Sequence, residues 1–113
     1  MAEEHNEVAQ EVFNASLEVA KNIIYYFQCA TIAMQHNDLK TWWIYLDSAY
    51  LEASFSIKEK DKVDLEKLWK KINPNLSSSY ALLKEYHIKL RGLSKHFFTI
   101  GDKSNPAQAV YRS

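Results

Sequence analysis

Apolar side chains recur along this chain at spacings of three and four, the repeat of an α-helix. Val8, Val12, Ala15, Val19, Ile23, Tyr26, Ala30 and Ala33 keep that spacing and predict one long helix over about residues 4–36. Glu3, Glu4 and Glu7 stand at its start, where the helix dipole favours negative charge. His36-Asn37-Asp38 stops it, and Asp38 is placed to cap the next helix. Thirty-odd residues make a rod of about 45 Å, longer than a compact domain of this size is wide. Such a rod is expected to lie against another chain or to serve as the spine of a bundle.

The second helix is predicted over about 39–58. The apolar pattern lapses at "KEKDK", residues 58–62, and Asp61 with Asp64 reads as the start of a short third helix over about 62–72. Its stripe is Leu65, Leu68, Trp69 and Ile72, and Asn73-Pro74 ends it because proline disfavours helix at the residue before it. Three serines at 77–79 offer caps for a fourth helix over about 79–100. There Tyr80, Leu83, His87, Leu90, Ser94 and Phe97 form one line, and Gly101 is the expected stop. Residues 1–100 are thus expected to form a single helical domain, and 101–113 an irregular tail docked through Val110 and Tyr111.

At 100° per residue, Trp42, Trp43, Leu46, Ala49, Tyr50, Ala53 and Ile57 of the second helix share an arc of about 120°, an ordinary core face. Ile44, Leu51 and Phe55 fall on the opposite side with Ser48 among them, so the helix is apolar on two opposed faces. Leaving three such side chains wet forgoes roughly 5–8 kcal/mol of burial, as much as the net stability of a whole domain. The expectation is that another helix of this chain, or a second chain, covers them; scattered exposure of single apolar residues is the plainer alternative.

Helix 1 repeats the pattern. Phe13, Leu17, Ala20 and Ile24 make a second stripe beside the main one, while Glu7, Glu11, Asn14, Glu18 and Lys21 hold the polar sector. Two such helices exceed what a four-helix monomer readily covers, which predicts self-association, most simply as a symmetric dimer. A monomer with both helices central is the competing arrangement.

Composition narrows the function classes. The chain has 113 residues with 47% hydrophobic, 13% aromatic, two Gly and two Pro, which favours long helices over turn-rich β structure. Fourteen cations balance fourteen anions, and only Arg91 and Arg112 of the cations are arginine. A nucleic-acid partner is therefore not expected, since no net positive field displaces counterions and bidentate readout is thinly supplied. The densest basic run, Lys58 to Lys71, is interleaved with Glu59, Asp61, Asp64 and Glu66 and reads as a solvated face. Lone Cys29, the acidic N-terminus and the lack of a membrane-length apolar run fit a cytoplasmic protein.

Chemistry-bearing motifs are few. His5, His36, His87 and His96 are never three or four apart, so no metal-binding helix face emerges, and His87 falls on the core stripe as a hydrogen-bonded core histidine. Two glycines, Gly92 and Gly101, make no phosphate-cradling loop, and no cofactor is expected. "RGLSKH", residues 91–96, resembles the RxxxxH motif of the HEPN ribonuclease superfamily. The resemblance implies a dimer whose cleft is lined by Arg91 and His96 of both chains and cleaves RNA, although Gly92 stands where that family usually carries a polar residue. Cations favouring the end of a helix explain the same residues without catalysis.

The chain thus reads as an all-α bundle of about four helices with a long N-terminal helix. Its expected role is non-enzymatic: an assembly subunit, adaptor or inhibitor that docks a protein partner, or itself, through apolar faces carrying Ile44, Leu51, Phe55, Phe13, Leu17 and Ile24. A HEPN-like nuclease and a nucleic-acid-associated regulator are the alternatives.

Overall fold

The computed structural model describes residues 2–104 of the chain, with side chains at 10, 11 and 14–101. Those residues are all-α. Helix α1 spans Ala2–Gln35, α2 Leu39–Ala53, α3 Glu59–Ile72, α4 Tyr80–Leu93 and α5 Lys95–Ser104. Short 3-10 segments at Ser54–Ser56 and Asn73–Ser78 join α2 to α3 and α3 to α4.

The α1–α2 turn is built from its local sequence. Asn37 takes a left-handed φ of 57°, a conformation that asparagine tolerates better than most residues. Its N–H donates to the Met34 carbonyl at 3.0 Å, and that of Asp38 to the Ala33 carbonyl at 2.9 Å, the paired bonds of a Schellman stop. Asp38 then turns cap: its carboxylate accepts from the Thr41 N–H at 3.1 Å and from the Thr41 hydroxyl at 2.7 Å. Those two bonds hold the Asp38 carboxyl below its usual pKa. The reversal lays α2 back along α1, where Ala20, Ala30, Ala33, Ala49 and Ala53 are all buried. Small side chains there let two helices run close together.

Three expected boundaries are corrected. Helix α2 stops at Ala53, five residues short of the predicted end, because the Ser54 and Ser56 hydroxyls donate to the carbonyls of Leu51 and Ala53 and draw the chain into a 3-10 turn. Helix α3 starts at Glu59, earlier than predicted, with Glu59 and Asp61 in its first turn and a Lys62–Glu59 ion pair at 3.5 Å. The predicted fourth helix is two helices: the Ser94 N–H reaches the carbonyls of both Leu90 and Arg91, and the chain restarts at Lys95 as α5.

That break turns α5 onto α1. Phe98 packs on Phe27 with ring centroids 5.6 Å apart. Gly101 lies inside α5 and is not its stop; a β-carbon there would run into Ile24 Cδ1, so glycine marks a close approach of α5 to α1. The expected irregular tail is helical through Ser104, and Val110 and Tyr111 lie outside the described residues. The core gathers Ile23 and Phe27 of α1, Trp42 and Leu46 of α2, Leu65 and Ile72 of α3, Leu83, Tyr86 and Leu90 of α4, and Phe97 of α5. Within it Trp42 Nε1 donates to His87 Nδ1 at 3.0 Å, which is the hydrogen-bonded core histidine that the stripe predicts.

Candidate functional site

Helix α2 separates its two apolar faces by burial. Trp42, Leu46, Ala49 and Ala53 are fully buried and Trp43 nearly so. Opposite them Ile44 is 53% exposed, Leu51 72% and Phe55 70%. Phe55, in the 3-10 turn, touches the chain edge-on at Phe97, centroids 5.9 Å apart, and keeps most of its ring in solvent. One of the two expected covers is therefore removed: no described element of this chain packs over Ile44 and Leu51. Ser48 sits between them and bonds its hydroxyl back to the Ile44 carbonyl at 3.0 Å, so the stripe carries no charge and no reaching polar group.

The second face of α1 divides differently. Ala20 is fully buried in the core, and Ile24 is half-buried against α5 at Gly101. Ile24 was expected to await another chain; α5, folded back by the break at Ser94, meets it from within this one. Leu17 is half-exposed, and the side chain of Phe13 lies outside the described residues. Ala20 is the first buried residue among the described side chains of α1; before it Gln10, Glu11, Asn14, Ala15 and Glu18 are exposed. Ala15 was expected on the core stripe, yet α1 outruns the helices that could bury it: residues 2–18 amount to about 25 Å of helix ahead of the core.

Arg91 and His96 do not share one helix, contrary to the reading of a single late helix. Arg91 lies in the last turn of α4, its guanidinium 5.0 Å from the centroid of the Phe98 ring. His96 is exposed in the first turn of α5, its ring 3.9 Å from that of Phe97. Arg91 lines grooves on either side of its side chain, and His96 lines neither.

A further groove of about 370 Å³ runs between α2, α3 and α4, past Tyr50, Glu66, Trp69 and Tyr86. Burial raises the pKa of nearby Asp47, against a Trp69 hydrogen bond that lowers it. Burial, with Asp47 close by, pushes the Tyr86 phenol far up, so this hydroxyl stays protonated at neutral pH and is no base. Among the described residues no three His, Cys, Asp or Glu side chains gather as metal ligands, and no helix is long and apolar enough to cross a membrane.

The feature that sequence reasoning missed lies between α1 and α4. Lys84, Arg91 and Lys95 line one groove there with His87 and Ile88. Their signal was in the spacing: 84, 87/88 and 91 advance by three and four along one face of α4, and Lys95 follows four residues on at the start of α5. No family model, no curated protein and no solved structure matches the chain.

Proposed function

We propose that the protein is a non-enzymatic interaction subunit that self-associates through the outer face of α2, and that a second copy of the chain is the occupant of that face. The observation that supports this reading is the exposed line Ile44, Leu51 and Phe55. Ile44, Ser48 and Leu51 step by four and three along α2, the spacing of a seam between paired helices, and Phe55 follows in the 3-10 turn. Set antiparallel to its own copy about residues 47 and 48, each Ile44 faces the partner's Leu51, and Ser48 lets the backbones approach. The stripe is uncharged and the chain has balanced charge, so two copies meet without repulsion across it. The part of α1 ahead of Ala20, where Gln10, Glu11, Asn14, Ala15 and Glu18 are exposed, offers a second strip for the same dimer.

The test is molar mass against concentration by sedimentation or light scattering. The mass should rise from 13.2 kDa when dilute toward twice that value when concentrated. Leu51→Glu should hold it at the monomer value throughout while the helical circular dichroism is unchanged. A wild-type mass that stays at the monomer value across the whole range overturns the proposal.

A further inference from the structure

We infer that the groove between α1 and α4 is a binding site for a small anion with an apolar body, a carboxylate or phosphate carrying a short hydrocarbon chain. The groove encloses about 510 Å³, within the range of small-molecule sites. Its walls are apolar, from Met34 and Ile88 and the methylene stems of the lysines. Its charges have one sign: Lys84, Arg91 and Lys95 line it and no carboxylate does.

These cations differ from two of the lysines of α3. Lys62 and Lys70 are neutralised by Glu59 and Glu66 at 3.5 and 3.4 Å, whereas Lys84, Arg91 and Lys95 have no ion-pair partner among the described residues. Arg91 is already oriented by the Phe98 ring beneath it, which lowers the entropy lost when it grips a ligand.

His87 supplies the fixed donor. It is 7% exposed, and its Nδ1 accepts the Trp42 indole N–H, so the ring proton is on Nε2. No described residue accepts from Nε2, and the ring lines the groove. Burial and the Arg91 charge lower the His87 pKa, so this N–H is a neutral donor at physiological pH and the positive charge comes from the three cations around it. A bare inorganic anion would leave the apolar walls wet. A hydrocarbon tail covers them, and each methylene buried tightens binding about four-fold. The groove draws on α1, α4 and α5 and not on the α2 stripe, so this inference stands apart from self-association.

The full chain is titrated with octyl phosphate below its micelle concentration, beside octyl glucoside (same tail, no charge) and inorganic phosphate (same charge, no tail). Calorimetry reads affinity, and the His87 ring resonances report the place. One site for octyl phosphate, with a shifted His87 Nε2 signal and both comparators at least ten-fold weaker, is the expected result. Lys84→Gln with Arg91→Gln should weaken octyl phosphate at least ten-fold at unchanged helical content, and Ile88→Glu should abolish binding. Leu51→Glu should leave it untouched. Equal affinity for octyl glucoside, equal affinity for inorganic phosphate, undiminished binding by the double variant, or signal changes confined to α2 each overturn the site.

Discussion

The two faces of α2 are nearly matched in side-chain chemistry and opposite in fate. Leu46 is fully buried and Leu51, five residues on, is 72% exposed. The difference lies in what the rest of the chain can reach. Helices α1, α3 and α4 crowd the inner face, and α5 is spent on α1. Hydrophobicity selects which side chains gain by burial; the number and length of the other helices decides which of them obtain it.

The sharpest way to break this contrast is to delete the same atoms on each side. Leu46→Ala should cost about 3 kcal/mol in thermal or denaturant unfolding, as core truncations do. Leu51→Ala, measured at high dilution, should fall within about 0.5 kcal/mol of wild type. A loss above about 1 kcal/mol for Leu51→Ala at that dilution would show that the outer face is covered in the monomer after all.

A second experiment uses the titratable group held by the inner face. The His87 pKa in the folded protein lies below its ordinary value of 6.5, through burial first and the Arg91 charge second. The unfolded chain therefore takes up this proton first as pH falls. Stability conferred by neutral His87 is full above 6.5 and declines below it toward the folded pKa. The slope from this one group is at most about 1.4 kcal/mol per pH unit. Unfolding midpoints between pH 7 and pH 5 should fall more steeply for wild type than for His87→Gln, whose amide oxygen still accepts from Trp42. Equal slopes would remove His87 from the account.

A further expected effect is a gain on the outside. Gly92 is helical, has no positive φ, and a β-carbon there meets nothing within 4 Å. Gly92→Ala should raise stability by about 0.5–1 kcal/mol, since alanine gives up less backbone freedom in a helix. Exposed positions thus answer to backbone entropy where inner ones answer to packing.

Much of the fold was legible in the residues. The all-α class, the reversal at Asn37-Asp38, the inner face of α2 and the end of α3 at Ile72 all follow from local rules. So does most of the α4 stripe: Leu83, His87, Leu90, Ser94 and Phe97 are buried as a line although the helix breaks within it, while Tyr80, expected at its head, is 43% exposed. The break itself was hidden because nothing in "GLSKHFF" is a strong helix stop. What favours it is the reward of packing α5 on α1, with Phe98 against Phe27, a contact between segments some seventy residues apart that no local window contains. Gly101 misled for the same reason, since a glycine that admits a neighbouring helix looks, in sequence, like a glycine that ends one. The outer stripe was legible as chemistry. Whether this chain covered it was not, because that depends on where α5 goes.

The tight turn at Asn37 also sets an order of assembly. Helices α1 and α2 meet across three residues, so their pairing closes almost no loop and can form early. Helix α5 must return over some seventy residues to reach Phe27 and Ile24, and it has the shorter contact to hold it there. Hydrogen exchange should find the α5 amides opening well before those of α2. Lys95 would leave with them, so the last piece of the molecule to settle carries one wall of the anion groove.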